Sequence, residues 1–109
     1  AETCSVPDTS AELEILGEFN PLNQTPEAAA LFEHYVAAAK DVGLEVGGEF
    51  TGGCADSGFT AAVGTPTICA TGPVGGNAHS PEEYLEVESL VPRAQTMATA
   101  IIEAGPLLR

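Results

Sequence analysis

LEVGGEFTGGCADSGFTAAVGTPTICATGPVGGNAHSPEEYLEVESLVPR, residues 44–93, decides the fold class. LEVGGEF (44–50) reads as a short strand, weakened by Gly47 and Gly48. The loop TGGCAD (51–56) opens a short apolar helix, with a cap at Asp56 or Ser57 and a stop at Gly64. TPTICA (65–70) reads as a buried strand with Cys69 as a small buried hydrophobe, and TGPVGGNAHSPEEY (71–84) as an open loop. From about Glu86 to Ala104 helical spacing sets Leu90, Val91, Ala94, Met97, Ala98 and Ile101 on one face, which predicts Met97 in the core. Pro92 is tolerated best in the first turn of that helix.

Upstream, AELEILGEF alternates Glu12, Leu13, Glu14 and Ile15, the pattern of a strand with one wet face. Asn20 and Pro21 end it. Thr25 reads as an N-cap with Pro26 at the first helical position. Leu31, Phe32, Tyr35, Val36 and Ala39 then recur at helical spacing, and Gly43 stops the helix after Val42. His34, among core positions, reads as structural. The order strand, helix, strand, helix, strand, helix defines an α/β class.

Composition narrows the function. Acidic residues outnumber basic ones 16 to 3, and Lys40, Arg93 and Arg109 are the only cations. A net charge of -13 repels phosphate backbones, which argues against nucleic acid as a partner. No apolar run is long enough to span a bilayer, so no membrane partner is expected. The opening AETCSVPDTS lacks an initiator Met, a basic segment and an apolar stretch, so it reads as a processed or truncated start and not as a signal peptide. The compartment stays open, with the cytoplasm slightly ahead of the periplasm or secretion. Cys4, Cys54 and Cys69 form no metal-ligand spacing and no disulfide framework.

Two loops carry the chemistry the residues allow. Gly52 and Gly53 let backbone N–H groups approach a carboxylate or oxyanion ahead of a helix start, although a plain tight turn capped by Asp56 explains the same residues. No phosphate-loop lysine follows them. His79 is set among small residues in the second loop. Zinc takes about four ligands, or three plus water, and beyond His79 the loop offers only Glu82 and Glu83, whose plain reading is a solvated acidic turn. On residue types alone this is an incomplete site.

Residues 51–93 nevertheless carry an ordered set of motifs: Gly-Gly-x-x-Asp, Gly-x-Pro-Thr, Gly-Pro-x-Gly-Gly-x-x-His-Ser, Glu-Tyr and Val-Pro-Arg. The set resembles the C-terminal part of the dinuclear zinc amidohydrolases that include glutamate carboxypeptidase, acetylornithine deacetylase and succinyl-diaminopimelate desuccinylase. Residues 12–50 share the resemblance more loosely. It implies that residues 1–20 hold a polar start and the last strand (12–18) of a lid domain that also mediates dimerisation. Residues 21–109 would then be the C-terminal half of a three-layer α/β catalytic domain. It further implies His79 as a zinc ligand, Gly52, Gly53 and Asp56 beside the reacting amide, and two zinc ions per intact site. The other ligands and the general base would come from an N-terminal remainder of the parent protein. The implied substrate is a small peptide or N-acyl amino acid, hydrolysed by a metal-acidified water.

The chain also departs from that family. Cys54 and Ala55 stand where relatives carry Gly and then Ser or Thr, and no arginine lies near Asn20, where relatives often bind the substrate carboxylate. The isolated chain is therefore expected to be inactive, with no catalytic residue of its own. The alternative is a non-catalytic interaction or scaffold domain that keeps the fold. In either case an apolar face is expected to be left bare, with self-association through it or through the first strand.

Overall fold

The fold is described from a computed structural model covering residues 5–105, so Cys4 lies outside the described residues. Three helices form where the sequence places them. α1 spans Pro26–Asp41, α2 Ser57–Ala62 and α3 Val87–Glu103. Between the last two, β1 (Gly75–Gly76) and β2 (Tyr84–Leu85) pair as an antiparallel hairpin, with Gly75 opposite Leu85 and Gly76 opposite Tyr84.

The ends of α1 follow from its sequence. The Thr25 hydroxyl accepts the Ala28 N–H at 3.2 Å, and Pro26 occupies a position whose missing N–H costs nothing. Glu27, in the first turn, has its carboxyl held below the usual carboxylate range by a hydrogen bond to its own backbone N–H and another to Thr25. At the far end Gly43 adopts φ +79, its N–H bonding Lys40 O at 3.0 Å while the Leu44 N–H bonds Ala39 O at 2.8 Å. This double closure satisfies carbonyls that would otherwise be orphaned, and it needs a residue at ease with positive φ. Gly64 ends α2 in the same way, with Gly64 N to Ala61 O at 2.9 Å and Thr65 N to Thr60 O at 3.2 Å.

α1 and α3 pack through small residues. Ala38 and Ala39 on α1, and Thr96 and Ala100 on α3, are buried, and the lack of bulk at these positions lets the two helices approach. Thr96 keeps its hydroxyl satisfied by donating to Pro92 O at 2.9 Å. Tyr35, Ala38 and Ala100 form the core cluster, with Val46, Ile68 and Met97 against it, so the expectation for Met97 holds. His34 is structural as expected: its Nε2 donates to Ala100 O at 2.8 Å across the helix pair. Such a bond contributes about 0.5–1.5 kcal/mol. His34→Ala is accordingly expected to lower stability by about 1 kcal/mol, read from the urea midpoint at unchanged slope; an unshifted midpoint would remove the bond from the account.

Five expectations are corrected, three of them strands. The segments 12–18, 44–50 and 65–70 form no strands. A strand exists only as part of a ladder, and the one ladder among the described residues is the β1–β2 hairpin. Val46 and Ile68 do turn onto the helix pair, so the apolar positions of two of these segments are used although the pairing is absent. Cys69 is exposed, because it falls beside Ile68 on a segment with nothing over its other side. Pro92 lies inside α3 beyond the first turn, since the helix starts at Val87. It forfeits one helical hydrogen bond there.

The apolar stripe of α3 is also misassigned. Of the residues expected to face inward, Leu90, Val91, Ala94, Ala98 and Ile101 are exposed, while the buried side runs through Thr96 and Ala100. A radius of gyration of 19.3 Å, against about 13 Å for a compact chain of 100 residues, fits a layer packed on one side only. No helix among the described residues is long and apolar enough to cross a membrane.

Candidate functional site

The second loop is more ordered than its composition suggests. Glu86 N bonds Val74 O at 2.8 Å, which extends the hairpin by one rung toward α3. Ser89, in the first turn of α3, accepts the Val74 N–H on its hydroxyl at 2.9 Å and donates to Glu86 O at 2.6 Å. The hairpin base is therefore pinned to the helix start. Gly75 is required where it stands, because a Cβ would run into the backbone carbonyl of Tyr84. At Gly76 the crowding comes instead from the Tyr84 ring, with Cε1 at 2.8 Å from the place of a Cβ.

Residues 77–83 close the hairpin with His79 near the tip. Ser80 N bonds Asn77 O at 3.2 Å, Glu83 N bonds Ser80 O at 3.1 Å, and Asn77 Nδ2 reaches Glu82 O at 3.4 Å. Asn77 and His79 both have positive φ, at 55 and 66. Asn and His are the side chains that tolerate this region best apart from glycine. The His79 backbone N–H donates to Glu83 Oε2 at 3.2 Å, while the residue itself is exposed. The loop thus holds the backbone of His79 and leaves its imidazole to the surface.

Glu82 and Glu83 part company here. The Glu83 carboxylate is engaged by the His79 amide, whereas Glu82 is held through its backbone, its N–H donating to Ser80 Oγ at 3.2 Å. The sequence reading missed the link from Glu83 to His79; its only signal was a carboxylate four residues after a histidine in a loop closed by Gly-Gly and Tyr. No group of three His, Cys, Asp or Glu among the described residues could hold a metal ion. A zinc centre takes about four ligands, so the described residues do not fit a complete one.

The first loop is exposed throughout, Gly52, Gly53 and Asp56 included. Asp56 precedes α2 but has helical φ and ψ, and its side chain makes no capping bond, so the expected cap is absent. α2 is fixed from elsewhere. Gly58 is buried against Asn20, whose carbonyl a Cβ at Gly58 would strike, and the rings of Phe19 and Phe59 meet at 5.3 Å. A cavity of about 510 Å³ lies beside this contact, lined in part by Asn20, Glu27 and Thr65. A second, of about 290 Å³, lies between the 71–73 turn and α3. Neither cavity includes His79, Gly52, Gly53 or Asp56.

What joins these parts is their order along the chain. Residues 3–103 match the sequence profile of Peptidase family M20/M25/M40, and the chain belongs to that family. It is thereby tied to hydrolases that are typically zinc-dependent metallopeptidases, with a mixed α/β fold. No curated protein and no solved structure matches it.

Proposed function

We propose that this chain forms the C-terminal part of a zinc-dependent exopeptidase or amidohydrolase that cleaves a peptide or N-acyl amino acid amide bond. His79 serves as one metal ligand. The observation that carries the reading is the hairpin: its base is pinned through Ser89, its tip is tied by five internal bonds, and an exposed imidazole stands on that tip. A neutral imidazole is the commonest protein ligand for such a metal. Gly52, Gly53 and Asp56 would line the substrate side of a cleft completed by the N-terminal remainder. When bound, zinc polarises the amide carbonyl and acidifies water. The remaining ligands, a second ion and the general base come from outside this chain, within an N-terminal remainder. Residues 12–18 would close a lid domain, and 21–109 the catalytic domain.

Metal-dependence assays test the proposal. A longer polypeptide containing this chain should hydrolyse dipeptides or N-acyl amino acids, lose that activity to a chelator and regain it with zinc. The isolated chain should do neither. Tight stoichiometric zinc binding by the isolated chain would contradict an incomplete site, and chelator-resistant activity in the longer polypeptide would sink the metal reading.

Pairing of two copies belongs to the same proposal. Leu13, Ile15 and Leu16 are exposed at 64%, 78% and 87%, a bare apolar stretch that a second copy would cover. Sedimentation at rising concentration should show a dimer that Ile15→Lys weakens. A monomer at every concentration removes this part.

A further inference from the structure

The two adjacent carboxylates of the second loop are not equivalent. Glu83 closes the loop twice: its N–H donates to Ser80 O at 3.1 Å, and its Oε2 accepts the His79 N–H at 3.2 Å. The next residue, Tyr84, opens β2 opposite Gly76. The carboxylate is thus anchored on the ladder, and the ladder on α3 through the Val74 N–H bonded to Ser89. Glu82, by contrast, is tied by its backbone, through its N–H to Ser80 Oγ and its carbonyl to Asn77 Nδ2.

What the Glu83 carboxylate holds is a strained piece of backbone. His79 has φ 66, in the left-handed region, which a residue with a Cβ keeps only where its surroundings fix it. The direction of a side chain follows from the backbone that carries it, so release of His79 to an ordinary conformation would re-aim the imidazole. A hydrogen bond from its amide to an ionised acceptor is directional and stronger than one to a neutral oxygen. A purely electrostatic part for Glu83, as one more negative charge near a cation, would be shared by Glu82, which is equally exposed and lies beside it.

We propose that Glu83 is a positioning residue for His79: its carboxylate, by accepting the His79 amide, keeps that residue left-handed and so fixes where the imidazole points. The inference rests on the reading of His79 as a metal ligand and adds a second residue of this chain on which metal affinity depends.

Glu83→Gln and Glu83→Met test it, because both remove the charge at similar side-chain length and only Gln keeps an oxygen for the His79 N–H. In this chain, hydrogen exchange of the His79 amide should be faster in E83M than in E83Q. The Glu86 amide, which reports the ladder through its bond to Val74 O, should exchange alike in both. In a longer polypeptide containing this chain, zinc affinity read by chelator competition should be about tenfold lower in E83M than in E83Q, as for other groups that orient a metal ligand. Equal His79 exchange in the two variants would overturn the proposal, as would loss of Glu86 protection in E83M, which would give Glu83 to the ladder alone. Equal zinc affinity of the two variants beside a weakened His79→Ala would overturn it and leave the ligand assignment standing. An undiminished affinity in His79→Ala would overturn that assignment, and this inference with it.

Discussion

Replacing His79 with alanine in a longer, metal-loaded polypeptide containing this chain is expected to lower amide hydrolysis by at least about 100-fold. Losing a partner that merely orients a metal ligand typically costs 10–100-fold in metal affinity or activity, so losing the ligand should cost no less. The fold should survive. His79 is exposed, and its backbone bond to Glu83 does not depend on its ring. Alanine at φ 66 adds only local strain, which His79→Asn would relieve, since asparagine tolerates that conformation while being a poor ligand. The pair separates the roles: both variants should lose metal and activity, and Asn should retain the thermal midpoint. Activity within a few-fold of wild type in either variant would refute the assignment of His79.

Gly75→Ala should have the second large effect, on structure first. A Cβ there meets the Tyr84 carbonyl, a backbone atom across the ladder that cannot move without opening it. Overpacking of this kind costs about 1–3 kcal/mol, and a two-stranded hairpin is marginal on its own. The expectation is loss of slow amide exchange at Tyr84 and Glu86, with metal affinity falling because the imidazole is no longer held. Gly76→Ala is the control. Its Cβ meets the ring of Tyr84, which is 52% exposed and can swing aside, so that variant should keep the hairpin. Equal behaviour of the two variants would mean that the ladder does not position His79.

Helix ends were the most legible part of this chain. Thr25-Pro26 and Gly43 announce α1 because capping uses local bonds that local residues determine. The packed face of α3 was not legible. Thr96 and Ala100 look unremarkable beside Leu90 and Ile101, yet small residues are what allow α1 to come close, and the larger apolar ones are left outside. The strands at 12–18, 44–50 and 65–70 failed for a different reason. Their alternation records which side is apolar, while a ladder depends on a partner that no pattern within the segment can reveal.

The site divides along the same line. His79 stood out as a loop histidine, and only the ordered motifs around it suggested a metal. The geometry then added what spacing could not: the Ser89 pin, the Glu83 carboxylate on the His79 amide, and the need for Gly75. Gly52, Gly53 and Asp56 gained no such support, since they line neither cavity and Asp56 makes no capping bond.

One measurement bears most directly on the imidazole at position 79. Crystals of a longer, zinc-loaded polypeptide containing this chain, measured at the zinc absorption edge, should show an anomalous peak about 2.0–2.1 Å from one of its ring nitrogens. A zinc peak found elsewhere, with the His79 ring free in solvent, would contradict the account.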